Sequence, residues 1–244
     1  MTGCKYGECD GSGFVVDTEA RTTRACRCRP ERIAAAKARR LSAVIPKKFA
    51  GVSFDRSPVT EIDPYVVGEI RRYVDALDDR LDEGRGVWLM GDVGTGKTTL
   101  AMLISKIALE RGRSVAIYSL PKLLYELRKT YDDSSEMTYL GLVGSLTSVD
   151  LLQIDDVGAQ RSNEWVLEQL YTIVNARYEE EKAIVLTTNL QPNELAEQIT
   201  ERTVSRLTEM CGDPLPLFGE DRRKAHDVPA LTPAGPLRYG QLPT

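Results

Sequence analysis

The stretch GDVGTGKT at residues 91–98 carries the residue types that hold a nucleotide's phosphates. It fits the pattern G-x-x-x-x-G-K-[ST], with an apolar run before it and a helix-forming run after it. Closely spaced glycines let backbone N–H groups turn toward phosphate oxygens, and the N-terminus of the next helix adds a positive dipole. In this pattern Lys97 reaches the β- and γ-phosphates, and the hydroxyl of Thr98 holds magnesium. The predicted phosphate-binding residues are Gly91, Asp92, Val93, Gly94, Thr95, Gly96, Lys97, Thr98 and Thr99.

Two adjacent carboxylates follow a later apolar run, in LLQIDD at 151–156. Ligands of open α/β sheets bind at the carboxyl ends of the strands. Asp155 is therefore predicted to hold magnesium through its water shell, and Asp156 to orient or deprotonate the attacking water. An acidic pair in this position can also cap a helix, because Asp is a favoured N-cap residue. The P-loop earlier in the chain favours the metal-binding interpretation.

The run VLTTN at 185–189 ends a further apolar stretch. If this strand lies beside the phosphate-binding strand, the amide of Asn189 lies near the γ-phosphate and its attacking water. Asn is also favoured in turns at strand ends, so the residue has a simpler explanation when taken alone. The two preceding motifs favour a role in the nucleotide site.

Arg202 and Arg206 lie four residues apart in ERTVSRL, residues 201–207, so a helix would place both on one face. An arginine from a neighbouring subunit can stabilise the charge that develops on a transferred phosphoryl group. Such a role requires an oligomer with the nucleotide at a subunit junction. The alternative is that these arginines pair with Glu201 or Glu209 on an exposed helix.

Four of the five cysteines lie near the N-terminus, as Cys4, Cys9, Cys26 and Cys28. Four thiolates at tetrahedral corners suit zinc, and a zinc site would fold a segment too small and polar to fold alone. The pairs lack the familiar C-x2-C spacing, so unrelated thiols are the alternative. Cys211 is predicted to be a core or bystander thiol.

Strand-like and helical runs alternate along the rest of the chain. Apolar runs predict strands at 86–91, 114–119, 149–155 and 182–189, and helical spacing predicts helices at 64–83, 97–112, 121–131, 163–181, 193–199 and 201–210. This alternation predicts an α/β fold with a parallel sheet between helices. The prolines that follow Gly212 predict an irregular tail.

Composition divides the chain into four parts: a zinc-binding module at 1–29, a basic helix and linker at 30–62, a nucleotide-binding core at 63–225 and a tail at 226–244. Residues 1–50 carry eleven Lys/Arg and five Asp/Glu, whereas the whole chain has a net charge of −4. A basic N-terminal part on an acidic body predicts different partners for the two. The chain holds neither an apolar run long enough to span a membrane nor an apolar signal core at its start. These features predict a cytoplasmic protein with reduced thiols and no membrane partner.

Together, GDVGTGKTTLA, LLQIDDVGAQ, VLTTNL and ERTVSRLTEMC resemble the motifs of AAA+ ATPases. More narrowly, they resemble the DnaC/DnaI-type replicative helicase loaders and the related IstB-type transposition helpers. In that group the second motif ends in Asp-Asp followed closely by Gly, as Asp155, Asp156 and Gly158 do here. The group's R…(S/D)RL box fits Arg202 and Arg206, and the resemblance favours Arg206 as the arginine that acts on a neighbouring subunit.

Two further segments bear on the resemblance. IPKKFAGVSF at 45–54 resembles the segment that leads into the ATPase core of the loaders and helps to enclose the nucleotide. The short, proline-rich segment 211–223 departs from AAA+ proteins that carry a full helical lid after the core. The resemblance therefore implies an AAA+ core without such a lid.

The resemblance implies an ATP-dependent loader that places a hexameric, DnaB-type replicative helicase on single-stranded DNA, with ATP and Mg²⁺ bound between subunits of an arc or ring. The cysteine module with its Zn²⁺ would recruit the partner, either the helicase or DNA. Two alternatives stay open. An IstB-type transposition helper would share the catalytic residues, and a zinc-dependent nucleic-acid-binding protein would use nucleotide only for regulation. The intact Lys97, Thr98 and Asp155 argue against the second.

Overall fold

A computed structural model describes residues 4, 6–17, 21–29, 32, 44–132, 135, 137–158 and 163–222. The predicted basic helix at 30–44 lies outside the described residues except for Arg32 and Val44, and the predicted tail at 226–244 lies wholly outside them. In the part of the chain that is described, no helix is long and apolar enough to cross a membrane.

The described residues form two sheets. A two-stranded antiparallel hairpin near the N-terminus consists of β1 (Phe14–Asp17) and β2 (Thr22–Ala25). The core sheet consists of β3 (Val87–Gly91), β4 (Val115–Ser119), β5 (Leu151–Val157), β6 (Ala183–Thr188) and β7 (Leu215–Leu217). Its order is β4-β5-β6-β3-β7, and all four pairings are parallel. The predicted α/β fold with a parallel sheet is confirmed.

The helices are α1 (Pro64–Asp75), α2 (Leu77–Asp82), α3 (Lys97–Glu110), α4 (Leu120–Lys129), α5 (Tyr139–Ser148), α6 (Glu164–Glu179), α7 (Pro192–Ile199) and α8 (Glu201–Cys211). They cover both faces of the sheet, which explains why the strands are apolar on both faces. Along β6, for example, Val185 packs with α1 and α3 on one face, and Leu186 packs with α4 and α6 on the other.

Three features differ from the sequence predictions. The helix predicted over 64–83 is two helices, because Ala76 leaves the helical conformation with φ −99° and ψ 23°. Helix α5 was not predicted, since its glycines, serines and threonine obscure the pattern. The segment after Gly212 was predicted to be irregular, but it includes β7. Pro216 is tolerated there because β7 is an edge strand, where a missing N–H need not break the sheet.

The segment predicted as a linker packs on the core before α1 begins. Short 3₁₀ helices at Lys47–Phe49 and Val59–Glu61 shape it. Val59 and Ile62 are buried in the cluster formed by α1 and α3, and the Lys106 ammonium donates to the carbonyl of Val52 at 2.8 Å. This packing brings the segment against the loop that follows β3.

A buried arginine in α6 ties three elements together. Arg177 is fully buried and donates to the carbonyls of Leu146 and Ala183 at 2.5 Å and to that of Asp150 at 3.2 Å. These carbonyls belong to the last turn of α5 and to the regions where β5 and β6 begin. Burial lowers the pKa of Arg177 to about 9. Because the carbonyls need donors away from water, replacing this arginine would leave them unpaired.

Candidate functional site

The loop from Gly91 to Thr98 joins β3 to α3, and its glycines are required by backbone geometry. Gly91, Gly94 and Gly96 have φ values of 133°, 80° and 107°. A Cβ atom on Gly94 would lie 1.8 Å from Asp221 Oδ1, and one on Gly96 would lie 2.4 Å from Ile62 Cδ1. Only glycine therefore fits these positions, because Asp221 and Ile62 pack directly against the loop.

Lys97 begins α3 and lies over this loop. It is buried, and its ammonium donates to the carbonyl of Gly91 at 2.8 Å and to that of Asp92 at 2.5 Å. Within the same loop the hydroxyl of Thr95 donates to the carbonyl of Asp92 at 2.8 Å. These contacts hold a positive charge beside the glycine backbone, an arrangement suited to anionic oxygens.

The end of β5 reaches the first turn of α3 through Asp155. The hydroxyl of Thr98 donates to Asp155 Oδ1 at 3.0 Å, and the hydroxyl of Thr187 donates to the same oxygen at 2.7 Å. Burial raises the pKa of Asp155, whereas the hydrogen bonds from Thr187 and Thr98 lower it. Thr187 was not singled out in the sequence, although it lies two residues before Asn189 in the same motif.

Asp156 is directed away from the strand by a break in the sheet register. The pairing of β5 with β6 shifts between Ile154 and Val157, and Asp156 has φ 59°, a conformation unusual for a residue other than glycine. Its backbone N–H donates to the hydroxyl of Thr187 at 2.9 Å. The bulge leaves the Asp156 side chain exposed on the wall of a cleft.

This cleft has a volume of about 570 Å³. It is lined by Lys48, Phe49, Pro58, Ile62, Val93, Gly94, Gly96, Lys97, Thr98, Thr99, Asp155, Asp156, Asn189 and Arg222. The structure thus brings together most of the predicted phosphate loop with Asp155, Asp156 and Asn189. Gly91, Asp92 and Thr95 are absent from this lining, but they take part in the hydrogen bonds that hold the loop together. The volume lies within the range of small-molecule sites, and the basic groups and glycine backbone suit a nucleoside triphosphate.

Arg206 lies on α8 and does not line the cleft. Its half-buried guanidinium packs over the rings of Tyr171 and Tyr178, 5.0 and 5.6 Å from their centroids. Glu209, a possible partner of Arg206 in the sequence, accepts a hydrogen bond from the Tyr178 hydroxyl at 2.7 Å. Arg202, the other candidate, is exposed. The chain therefore presents Arg206 away from its own nucleotide cleft.

Aromatic side chains gather where α4 ends and where α5 and α6 begin. The rings of Tyr131 and Tyr139 stack at 6.0 Å, and Trp165 meets Tyr131 edge-on at 6.5 Å. The Arg128 guanidinium lies 4.8 Å from the Trp165 ring, and Tyr131 is 59% exposed. We call Arg128, Tyr131, Tyr139 and Trp165 the aromatic cluster. The sequence gives no sign of this cluster, because its members come from separate elements.

The four N-terminal cysteines meet around the hairpin. The sulfur atoms of Cys4 and Cys26 are 3.6 Å apart, as are those of Cys9 and Cys28, and all four lie within 4.8 Å of one another. Four sulfurs at about 2.3 Å from one zinc ion would lie about 3.8 Å apart. The arrangement therefore fits a tetrahedral thiolate site, whereas unrelated thiols would not converge.

Backbone contacts fix the cysteines in this module. The N–H of Cys26 donates to the carbonyl of Gly13 at 3.0 Å, which closes the hairpin, and Arg27 forms an ion pair with Glu8. Cys211, by contrast, lies in α8 and donates to the carbonyl of Ile184 at 3.6 Å. Burial raises the pKa of Cys211 to about 12, as expected for a thiol that packs against the core.

Comparison with known proteins gives one family and several relatives. The family model described as IstB-like ATP binding protein matches residues 14–212. The replicative helicase loader DnaI of Bacillus subtilis (strain 168) is 26% identical over 196 residues, which covers 75% of this chain and 61% of the relative. The replicative helicase loader DnaC of Escherichia coli (strain K12) is 28% identical over 141 residues, covering 58% of this chain and 56% of the relative. The chain thus spans less than two thirds of each relative's length.

Solved structures share the fold. A crystal structure of the DnaC helicase loader has a TM-score of 0.61 and 24% identity, and the match covers 72% of this chain and 100% of that one. AMPPCP-bound DnaA from Aquifex aeolicus has a TM-score of 0.59 and 23% identity, covering 72% of this chain and 51% of that one. At these identities the likeness concerns the arrangement of strands and helices.

Proposed function

The chain belongs to the IstB-like ATP-binding family, and from this premise we propose that it is an ATPase that loads a replicative DNA helicase onto single-stranded DNA. The observation that carries the proposal is the convergence of Lys97, Thr98 and Asp155 on one cleft, in a chain similar to two proteins named helicase loaders. The remaining residues of the cleft and the surfaces outside it can be assigned roles on that basis.

The P-loop would hold the phosphates of ATP. Gly94 and Gly96 line the cleft, and the backbone N–H groups of this glycine loop would donate to phosphate oxygens, while the N-terminus of α3 adds its dipole. Lys97 now donates to the carbonyls of Gly91 and Asp92. It would exchange them for β- and γ-phosphate oxygens, whose negative charge makes them stronger acceptors.

Thr98 and Asp155 would hold the magnesium ion. A bound magnesium ion would supply positive charge that neutralises the negative charge developing on the transferred phosphoryl group. Asp155 must be ionised for this task, and the Thr187 hydroxyl stabilises its charged form. Thr98 would present its oxygen lone pair in place of the hydrogen that it now donates to Asp155.

Asp156 and Asn189 would act on the attacking water. Both line the cleft beyond the phosphate loop, one after β5 and the other after β6. The carboxylate can accept a proton or hydrogen bond from the water, and the amide can orient it toward the γ-phosphate. Arg206, which lies outside this cleft, would complete the cleft of the next subunit in an arc or ring.

Asn189 would act in its own subunit's cleft and Arg206 in the cleft of the next subunit. This arrangement would couple ATP hydrolysis to subunit assembly. An arginine that contacts the neighbour's γ-phosphate favours the assembled state only while ATP is intact. Loss of the γ-phosphate removes that contact together with the one from Asn189. The assembled and released states then differ in free energy, which would let the loader leave the helicase after hydrolysis.

The aromatic cluster is the candidate contact for single-stranded DNA. The exposed ring of Tyr131 can stack with a base, and the Arg128 guanidinium over the Trp165 ring adds positive charge nearby. Proteins that bind single strands without sequence preference combine these two features. A local cluster of this kind also suits a body that is acidic outside its first 50 residues.

The cysteine module would be a zinc-stabilised recruitment element. Its four thiols fit one zinc ion, which would supply the folding free energy that so small a segment lacks. The helicase is its proposed partner, and DNA is the second candidate. An IstB-type transposition helper remains the alternative function, and it differs in the protein that the module contacts.

Co-purification with the replicative helicase of the same source tests the proposal. The full chain should retain the helicase with ATP and release it with ADP, and the helicase or single-stranded DNA should stimulate ATP turnover. Lys97→Ala should lose turnover, whereas Lys122→Ala, on the exposed face of α4, should keep it. Retention of a transposase in place of the helicase would favour the alternative. Absence of ATP binding by the unaltered chain would refute both.

A further inference from the structure

The guanidinium of Arg206 packs against aromatic rings and not against carboxylates. It lies over Tyr171 and Tyr178, which are seven residues apart on one face of α6. Its Nη1 reaches only the carbonyl of Arg202 in its own helix, at 3.5 Å, and its Nε is buried with no hydrogen-bond partner among the described residues. In the described part of the chain, no carboxylate forms an ion pair with Arg206.

Glu209 is the carboxylate that helix geometry places beside Arg206. It lies three residues further along α8, and side chains at this spacing are neighbours on a helix surface. Its Oε2 instead accepts a hydrogen bond from the Tyr178 hydroxyl at 2.7 Å. This hydrogen bond raises the pKa of Tyr178, so the hydroxyl keeps its proton at neutral pH and stays the donor. One tyrosine therefore binds the carboxylate through its hydroxyl and packs against the guanidinium through its ring.

The backbone at Glu209 is held in place separately. Arg85 Nη1 donates to the Glu209 carbonyl at 2.8 Å, and the Tyr73 hydroxyl donates to the Arg85 carbonyl at 2.7 Å. These contacts fix the end of α8 without using the Glu209 carboxylate. The carboxylate can therefore turn to Tyr178 or to Arg206 by side-chain rotation alone.

We propose that Tyr178 is a positioning residue for ATP hydrolysis: its hydroxyl holds Glu209 away from Arg206, which keeps the arginine available for the nucleotide of the next subunit. This inference rests on the proposed function, because it takes Arg206 to act across the subunit junction. An arginine paired with a carboxylate of its own subunit would have to break that ion pair before it could contact a phosphate. Ring faces attract a guanidinium electrostatically and leave the N–H donors in its plane free to bind an anion.

Removal of the hydroxyl tests the proposal, because Tyr178→Phe keeps the ring. The released Glu209 carboxylate should then pair with Arg206, and kcat for ATP should fall by roughly 10-fold, the effect of one competing charge-assisted contact. The KM for ATP should stay unchanged, because the cleft of each subunit is intact. Adding Glu209→Gln to Tyr178→Phe should restore kcat, since the amide carries no charge. Steady-state kinetics of the full chain, at a concentration where the unaltered protein is assembled, give both constants.

A matched control is Tyr65→Phe, which removes the hydroxyl of an exposed tyrosine on α1 and should leave kcat unchanged. Thermal unfolding checks that the Tyr178 variants still fold. Restoration by Glu209→Gln separates the proposal from a purely structural role, because a second substitution would not repair a fold weakened by loss of the hydroxyl.

Two results would overturn the inference and leave the proposed function intact, provided that Arg206→Ala is inactive. One is an unchanged kcat in Tyr178→Phe, and the other is a loss that Glu209→Gln does not repair. Full turnover in Arg206→Ala would overturn the inference together with the role of Arg206 across the junction. If the unaltered chain bound no ATP, the proposed function itself would fail.

Discussion

Thr98 and Asp155 are 57 residues apart in the sequence, yet the hydroxyl of one donates to both carboxylate oxygens of the other, at 3.0 and 3.2 Å. Thr98 belongs to the first turn of α3 and Asp155 to the end of β5. The parallel sheet brings the carboxyl end of β5 to the edge where α3 begins. This pair forms one side of the cleft, and it makes the stability of the protein depend on the charge of Asp155.

Asp155→Asn should raise the thermal stability of the nucleotide-free protein while abolishing ATP turnover. Burial raises the pKa of Asp155, so its ionised form is the one that folding disfavours. Asn keeps an oxygen that can accept from Thr98 and Thr187 but carries no charge. A gain of about 1 kcal/mol would raise the melting temperature by about 2–4 °C in a chain of this size. Calorimetry at pH 8 in a chelating buffer measures the difference.

The difference in melting temperature between Asp155→Asn and the unaltered chain should become smaller as the pH falls. A carboxyl whose pKa is raised by folding favours the folded state below its unfolded pKa, and this contribution is lost as the pH rises through the folded pKa. Asp82→Asn is a control with the opposite expected pH dependence, because a hydrogen bond from Arg113 lowers the pKa of Asp82. That variant should melt lower at neutral pH and match the unaltered chain at acid pH. A gain for Asp155→Asn that stayed constant from pH 8 to 4 would contradict the burial argument.

Zinc content should follow the four clustered cysteines and not Cys211. The unaltered chain and Cys211→Ser should each hold about one zinc ion, and Cys26→Ser should hold none, because zinc sites of this type use four ligands. Atomic absorption on protein purified without chelator gives the ratio. ATP turnover without helicase should persist in Cys26→Ser, since the cysteines lie outside the nucleotide cleft. Stoichiometric zinc in Cys26→Ser would exclude the tetrahedral assignment.

Much of the nucleotide site was predictable, because its signals are local in sequence. The P-loop needs glycines and a lysine at fixed spacing, and Asp155 and Asn189 each follow an apolar strand. A parallel sheet then brings such strand ends together without further information. The parallel α/β fold and the likeness to helicase loaders followed from the same motifs.

The features of the fold and the site that the sequence does not reveal depend on contacts between segments far apart in the chain. Arg177 is an ordinary helix residue in the sequence, and only the packing of α6 against α5 and the sheet buries it. Strand β7 is too short and proline-rich to be recognised before its pairing with β3 is known. Arg222 lies beside Gly94 because its backbone N–H donates to the Gly94 carbonyl at 3.3 Å, a contact between two segments that are far apart in the sequence.

Single-stranded DNA should quench the fluorescence of Trp165. The chain has two tryptophans, and Trp88 is buried, so the signal reports the aromatic cluster. Tyr131→Ala should weaken binding roughly 10-fold or more, because stacking contributes about 1–3 kcal/mol per base. Tyr65→Ala removes a similarly exposed tyrosine of α1 and should have no effect. Affinity should also fall steeply with added salt if Arg128 lies along a phosphate track. Equal binding by the two tyrosine variants would exclude the cluster.

Arg206→Ala should lose ATP turnover while keeping ATP affinity, with a decrease of roughly 1,000-fold if the arginine stabilises the transition state. Lys97→Ala should also be inactive, because it cannot hold the phosphates. Mixing the two variants should restore part of the activity: in a mixed assembly, some junctions pair an intact Lys97 on one subunit with an intact Arg206 on the next. Arg202→Ala mixed with Lys97→Ala is the control that separates the two candidate arginines. Suppose that the unaltered chain assembles and turns over ATP, but that neither mixture exceeds the summed turnover of its two variants. Neither Arg206 nor Arg202 would then act across the subunit junction. Tyr171 and Tyr178 would then hold Arg206 as a structural residue of α8.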